Sequence, residues 1–542
     1  MYALIDSNNF FVSCERLFRP DLENTAVIVL SSNDGCAISR SAEAKALGVK
    51  MGEPIFKLRQ RFTVEHGTTA LEPRAQRGRE RVASGGVEDA LERSEEGTSR
   101  GEDSQRLSAR RAAEQVVLAN EQSRASGTWA SPSSKTICAK PLLIVFSANF
   151  ELYGDISERI ATIVTSITPH IELYSIDEAF LDLTQLDIPD YTAWGAKLRA
   201  LILQNIGIPV SVGIAPTKTL CKLANHHAKT HPEMQGVLAM ETEPHEARAQ
   251  RGRERVASGR VRADAERSDG DTRREASLSF KNNETWHRTL EEASVADIWG
   301  VGWRLAPKLR AEGVFTALDL ARLRPQRAGQ LMGVHGKHMV YELNGTSCLP
   351  LQARTKPQQM ISRGRQFGKD TSDLSVVTAA VTALANRAAR ELRREGQLAT
   401  HAVVTLRTNR LKPGYACIDS SARFYTPTAD TGEICSQLIR TLQHSLQPKL
   451  SYHKAEVTLY GLVSSSVIQT DVFGTVDLSK LGRSQRRMAA VDAANAKYGA
   501  HAIRPAAELL SDAWRPKSAM LSPRYTSSWN ELPEVVVAGM PS

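Results

Sequence analysis

The chain has 542 residues, too many for one domain, and its 41% hydrophobic and 24% charged residues are those of a globular protein rather than a disordered or fibrous one. A net charge of +9 favours a polyanionic partner, and seven scattered cysteines with no CxxC pair exclude a disulfide framework and a thiolate zinc site and fit a reducing cytosol. No basic-then-apolar stretch opens the chain and no run of about 18 apolar residues occurs, so the sequence predicts neither a secretory leader nor a membrane span, and a cytoplasmic protein.

Residues 1–63 read as α/β. Tyr2 to Ile5 predicts a short strand ending at Asp6, and Ala26 to Leu30 (AVIVL) a second, β-branched one. After the turn signal Asn33-Asp34-Gly35, Ser39 to Leu47 predicts a helix stopped at Gly48. Order returns at Leu142 with the strand run LLIVFSANF and a helix from about Glu151 to Ile167. The apolar runs IELYSI and AFLDL flank Asp177-Glu178 and predict a hairpin with the two acids at its tip. A helix over Trp194 to Gln204, the strand PVSVGIA and a helix capped by Thr217 follow; the order β-α-β-β-α-β predicts a ferredoxin-like sheet. Residues 281–345 read as helical around the turn Trp299-Gly300-Val301-Gly302. Residues 359–465 read as α/β again, with a helix from Val376 to Arg394 and the strand HAVVTLRTN.

Two segments interrupt this order. RAQRGRERVASG at 74–85 recurs unchanged at 248–259, inside stretches (72–137 and 246–280) rich in Arg, Glu, Ser, Gly and Ala. Two distant copies do not make a solenoid. Dense mixed charge with few large apolar side chains predicts disorder or a marginal exposed helix, and both segments read as insertions into a pre-existing scaffold.

The chemistry concentrates in three acids. If the end of the first strand meets the hairpin tip, Asp6, Asp177 and Glu178 form a carboxylate cluster suited to magnesium, which wants hard oxygen ligands. Two such ions about 4 Å apart activate an attacking hydroxyl and hold a leaving phosphate. On spacing alone, a solvated Asp-Glu turn and a helix-capping Asp6 read the same way.

The motifs are more specific than the spacing. LIDSNNFFVSCE, SSNDGCAISRSAEAKALGVKMG, FSANFELYGDIS, YSIDEAFLDLT and VGIAPTKTLCKLANHHAK resemble, in order, the successive motifs of Y-family DNA polymerases. NDGC, SANFELYGDIS and the late MLSPRYTS are similar to the UmuC branch, which supplies the catalytic subunit of bacterial DNA polymerase V, rather than to the DinB (polymerase IV) branch. The resemblance implies an α+β multidomain right-hand polymerase. It places a ferredoxin-like palm over 1–24 and 138–245, small fingers over 25–71, a helix-hairpin-helix thumb over 281–348, an α/β little finger over 349–465 and a tail over 466–542.

The same resemblance implies site residues. Asp6, Asp177 and Glu178, with the backbone carbonyl of Ser7, would bind two Mg2+ ions. Phe11 falls at the steric gate, an aromatic ring under the sugar, and Phe10 beside it would serve both the nucleotide site and the core. Ser39, Lys45 and Lys229 match contacts to the incoming dNTP, although Lys45 lacks the bidentate fork of the Arg that relatives outside the branch carry, and Ala42 stands where they have Tyr. Gly300, Gly302 and Lys308 would hold primer-template DNA by its phosphates, with Arg363, Arg365, Arg407, Arg410 and Lys412 laying a basic sheet along the duplex. Gln469, Val472 and Phe473 are similar to a sliding-clamp-binding peptide. The implied partners are a processed UmuD-like dimer, a RecA filament and the sliding clamp; the implied activity is error-prone translesion synthesis in the SOS response, without proofreading. Two other readings compete: an insertion-disrupted, non-catalytic remnant, and a stand-alone DinB-like polymerase.

Overall fold

The computed structural model describes residues 1–68, 140–241, 284–352, 358–447, 449–466, 478–499 and 501–532. Both expected insertions and the Gln469–Phe473 peptide lie outside the described residues. One unit comprises Met1–Gln60, Val64–Thr68 and the chain from Leu143 onward; Arg61–Thr63 group with the segment from Thr69 to Leu142, where the Thr63 amide donates to the Pro141 carbonyl at 2.9 Å.

The chain opens with β1 (Tyr2–Ser7) and α1 (Phe10–Phe18), then β2 (Val27–Leu30), β3 (Ala37–Arg40), α2 (Ala42–Ala46), α3 (Ile55–Arg61) and β4 (Thr63–His66). It continues with β5 (Leu142–Ser147), α4 (Phe150–Ile167), β6 (Ile171–Leu173), β7 (Glu178–Asp182), α5 (Tyr191–Ile206), β8 (Val210–Ala215), α6 (Lys218–Thr230) and β9 (Val237–Ala239). The first sheet runs β6-β7-β1-β8-β9. Its first four strands have the ferredoxin-like order, with β1 paired antiparallel to both β7 and β8. Helix α6 lies close against β8 because position 213 is glycine: a Cβ there would collide with the Cys221 carbonyl and the Asn225 amide.

Three expectations shift. The strand LLIVFS is not in this sheet; β5 pairs parallel with β2 in a second sheet, β3-β2-β5-β4, and the first strand of the ferredoxin-like set is β1. A continuous apolar run fits any buried strand position, and nothing in it names its neighbour. The helix expected over Ser39–Leu47 begins only after Ser41, whose side chain accepts from the Ala44 amide, because Ser39 and Arg40 pair with Val29 and Ile28 on β2. The hairpin is present, but its turn spans 174–177, closed by the Tyr174 and Ser175 amides on the Glu178 carbonyl at 3.0 and 3.1 Å. Asp177 therefore sits in the turn and Glu178 opens β7.

A helical layer follows: α7 (Glu284–Glu292), α8 (Leu305–Ala311), α9 (Ala317–Arg322), α10 (Pro325–Met332) and α11 (Val334–Leu343). It shares a core with α6, in which Leu220, Leu223 and Ala224 pack with Trp286, Leu290 and Leu343. Glu342 pins the two parts together. It is fully buried, and its carboxylate accepts the Thr219 amide of α6 at 3.0 Å and the Cys348 and Leu349 amides at 2.6 and 3.1 Å. A carboxylate at the positive end of α6 is also electrostatically favoured. Glu342→Ala strands these amides and is expected to cost about 3 kcal/mol or more, read as a lower urea midpoint; a cost below about 1 kcal/mol would show that water replaces the carboxylate.

The last sheet combines β10 (Met360–Thr371), β11 (Gln397–Thr408), β12 (Cys417–Thr428) and β13 (Tyr452–Ser464) in the antiparallel order β10-β13-β11-β12. Helices α12 (Leu374–Arg394) and α13 (Thr431–Ser445) bury its other face through Val377, Leu384, Leu392, Ile434 and Leu438, and α14 (Leu478–Tyr498) begins the tail.

Candidate active site

The register of the first sheet builds the site. Asp6 on β1 lies directly opposite Glu178 on β7, and directly opposed residues of an antiparallel pair present their side chains on one face. The Ser7 amide donates to the Asp177 carbonyl at 2.9 Å, fixing the turn against the end of β1. Each acid has its own donor: Asp6 accepts Lys229 Nζ at 2.5 Å, Glu178 accepts Lys222 Nζ at 2.6 Å and Asp177 accepts Ser175 Oγ at 2.5 Å. The three carboxylates share a neighbourhood but do not close on a single point; among the described residues, three metal-ligand atoms come within 4.8 Å of one another only in His227, His231 and Glu292.

Burial pushes Asp6 up to about pH 6 in pKa; Lys229 opposes the shift, and Glu178 and Asp177 add to it. Two ammonium groups thus leave the cluster short of positive charge. All of its offered side-chain atoms are hard carboxylate oxygens. This donor set fits Mg2+ and not a soft metal.

Lys222 and Lys229 lie seven residues apart on α6, two helical turns, so one helix face delivers both cations to the acids. Lys222 is held in an aromatic cage, 4.6 Å from the Tyr174 ring centroid, 5.9 Å from Phe180 and 5.6 Å from Trp299. Across from them, Asn9 sits at φ 49° as the cap of α1 and accepts Lys45 Nζ on Oδ1 at 2.6 Å and Ser39 Oγ on its carbonyl at 3.4 Å. Burial, then Arg40 and Lys229, hold Lys45 below the usual lysine range. Ser39, Lys45 and Lys229 are thereby brought to the carboxylate end of β1, and Arg40 joins them. Phe10 is buried, whereas Phe11 is half-buried and stacks on Tyr153 at 4.5 Å and 15°.

The family model described as the impB/mucB/samB family matches residues 5–81 and 102–226, and that of its C-terminal domain matches 358–472. Protein UmuC of Salmonella typhimurium is 31% identical over 535 residues, covering 98% of this chain and 99% of that one. The chain belongs to the UmuC branch of the Y-family DNA polymerases. Protein MucB of Escherichia coli is 29% identical over 536 residues, again covering 98% of this chain and 99% of its own length. DNA polymerase IV of Pelotomaculum thermopropionicum is more distant, 24% identical over 399 residues, or 73% of this chain and 86% of that one. This full-length likeness to the UmuC branch sets aside the DinB-like alternative. Among solved structures, the Y-family DNA polymerase chimera Dbh-Dpo4(243-245)-Dbh matches at a TM-score of 0.51 with 17% identity, over 85% of this chain and 99% of that chain, and bears out the multidomain right-hand fold. A model described as a domain of unknown function matches 485–535.

In this Y-family chain the turn expected to belong to the thumb requires its glycine: Gly300 has φ +96°. Gly302, Lys308 and Arg310 are exposed just beyond it, as is Trp303. The last sheet divides the expected basic residues between its two faces. Arg363 and Arg365 have the strand parity of the buried Ile361 and Phe367 and so face α12, where Arg363 Nη2 lies 3.5 Å from Glu391 and Arg365 neighbours Arg387. Arg407 is on the open face with Lys454 opposite it and Glu456 at 3.8 Å. Arg423 is exposed on the same face, Lys412 pairs with Asp370 at 2.7 Å, and Arg410 lies over the Tyr415 ring at 5.3 Å.

The tail of the chain returns to α1 and the second sheet, which sequence reasoning missed. The Met520 amide donates to Ser147 Oγ and the Ser147 amide to the Met520 carbonyl, at 3.0 and 2.8 Å; the Ala519 and Lys517 amides donate to Asp34 and Asn33 at 3.0 and 2.9 Å. Ser522 Oγ donates to Glu15 Oε1 at 3.1 Å, and the Tyr153 hydroxyl donates to the same oxygen at 2.6 Å. Glu15 is fully buried on α1, and burial pushes its pKa up to about 7 against both hydrogen bonds. The tail thereby reaches, through Glu15 and Tyr153, the ring of Phe11.

Proposed function

We propose that this chain is an error-prone, template-directed DNA polymerase for translesion synthesis in the SOS response, transferring a deoxynucleotide from a dNTP to a primer 3′-hydroxyl without proofreading. The observation that carries the reading is the register that sets Asp6 opposite Glu178, beside Asp177 and beneath the two lysines of α6. Asp6, Asp177, Glu178 and the Ser7 carbonyl would hold two Mg2+ ions, which supply charge neutralisation at the attacking and leaving oxygens. Lys222 and Lys229 now neutralise the acids that those cations would take over. Released from Asp6, Lys229 is placed to meet a triphosphate together with Lys45 and Ser39. Phosphoryl transfer asks for such positioning and charge rather than covalent chemistry.

Phe11 is the proposed gate. Its ring is backed by Tyr153 and edged by Phe150 at 6.0 Å, so a 2′-hydroxyl under the sugar would meet a surface that does not yield. Primer-template DNA is held in this reading by the backbone at Gly300 and Gly302, by Lys308 and by Arg407, Arg410 and Lys412, with Lys454 and Arg423 added; Arg363 and Arg365 reach a duplex only past the sheet edge. Gln469, Val472 and Phe473 are the proposed sliding-clamp contact, and a processed UmuD-like dimer and a RecA filament the proposed activators. Primer extension by the purified protein tests the whole reading: Mg2+-dependent, template-matched synthesis is expected, and duplex binding without synthesis would favour the non-catalytic remnant.

A further inference from the structure

The one convergent set of metal-ligand atoms among the described residues lies away from the polymerase carboxylates, where the C-terminal end of α6 meets α7. His227 and His231 are four residues apart, one helical turn, and their rings stack in parallel at 4.7 Å and 4°. Glu292 comes to them from the last residue of α7, with Oε2 4.0 Å from His227 Nδ1 and 3.9 Å from His231 Nε2.

The protonation pattern is set by the surrounding hydrogen bonds. His231 Nδ1 lies 3.1 Å from the His227 carbonyl and 3.0 Å from Thr230 Oγ1, whose own hydrogen reaches the His226 carbonyl at 3.0 Å; a ring hydrogen on Nδ1 suits both acceptors and leaves the lone pair of Nε2 toward Glu292. A backbone carbonyl on the far nitrogen is the outer-shell partner that orients metal-ligating histidines. His227 is 3% exposed and its Nδ1 is buried without a hydrogen-bond partner. Burial, then the neighbouring His231, hold His227 below the usual histidine range, so it carries a free lone pair. On Glu292, Arg288 takes the other oxygen, Oε1, at 2.7 Å and leaves Oε2 facing the imidazoles. An unpartnered buried nitrogen is costly unless something fills its place.

We propose that His227 Nδ1, His231 Nε2 and Glu292 Oε2 form a binding site for Zn2+ or a similar borderline transition-metal dication, with water completing the shell. Two imidazoles and one carboxylate suit such an ion and not Mg2+. In a tetrahedral zinc shell neighbouring ligand atoms stand about 3.4 Å apart, so Glu292 Oε2 has about half an ångström to close on each imidazole nitrogen, and the two parallel rings tilt toward each other to bring both lone pairs to one ion. The ion would tie the palm helix that carries Lys222 and Lys229 to the first helix of the thumb. It is independent of the catalytic reading, since none of its ligands belongs to the polymerase site.

The test is a Zn2+ titration of the full chain against a chromophoric chelator, alongside thermal melts with and without Zn2+. Wild type is expected to bind one equivalent that His231→Gln and Glu292→Gln each weaken by at least about tenfold, and to gain a Zn2+-dependent rise in melting temperature that both variants lose. Glu178→Gln should keep the equivalent in full, which separates this site from the carboxylate cluster. Zinc bound equally well by His231→Gln and Glu292→Gln would assign it to cysteines or other surface groups and overturn the proposal, as would the absence of a chelator-competing equivalent in wild type.

Discussion

Asp177→Asn or Glu178→Gln is expected to lower primer extension by at least about a thousandfold, equivalent to roughly 4 kcal/mol of transition-state stabilisation, while primer-template affinity changes by less than about threefold. Each substitution removes one negative charge from a cluster whose purpose in this reading is to gather dications. The cost is asymmetric for Glu178: Lys222, held 2.6 Å away in its aromatic cage, loses its counter-charge and is left repelling any incoming cation. The proposed DNA grip lies on the Gly300 turn and the open face of the last sheet, so binding should survive. Gel-shift affinity measured beside steady-state extension separates the two. Near wild-type extension by either variant would remove the carboxylates from the chemistry; joint loss of binding and extension would mean the change unfolded the first sheet.

Phe11→Ala should raise ribonucleotide incorporation relative to deoxynucleotide by about a hundredfold, or roughly 3 kcal/mol, because the ring that would clash with a 2′-hydroxyl is gone. The ring does not stand alone. Tyr153 stacks on it, Glu15 fixes the Tyr153 hydroxyl, and Ser522 of the tail shares the same carboxyl oxygen. Tyr153→Phe and Ser522→Ala each remove one hydrogen bond of about 1 kcal/mol and should relax the sugar preference in the same direction by about fivefold. Combining either with Phe11→Ala should add nothing, since their effect runs through the ring. If Phe11→Ala leaves the ratio unchanged, the gate is elsewhere; if it acts and the other two do not, the tail only holds domains together.

The sequence showed the site better than its surroundings. Asp6, Asp177 and Glu178 were legible because a strand end and an acidic hairpin recur as motifs, and their meeting needs only that β1 and β7 be neighbours. Lys229 was legible from its motif; Lys222 was missed, although a spacing of seven on one helix predicts a shared face. Ser39 and Arg40 read as helix because local propensity ignores the pairing of β3 with β2. LLIVFS read as a strand, but parallel pairing to a strand over a hundred residues earlier leaves no local trace. Arg363 and Arg365 were legible as residues of a basic sheet, yet which face of β10 is buried depends on α12, and that decides where they point. The tail's return to Glu15, Asn33, Asp34 and Ser147 is carried by backbone amides and two serine hydroxyls, groups that every sequence contains. No pattern of side-chain types could announce it.

The most direct test of the central claim is single-nucleotide insertion by the purified full chain on a primed template, offering each dNTP in turn, with Mg2+ or with EDTA, and with and without a processed UmuD-like partner and RecA. The dNTP complementary to the template base should be inserted most, Mg2+ should be required, and Asp177→Asn should be inactive under every condition. Tight primer-template binding with no insertion by wild type in any of these mixtures would contradict it and leave a Y-family fold that has kept its carboxylates without their chemistry.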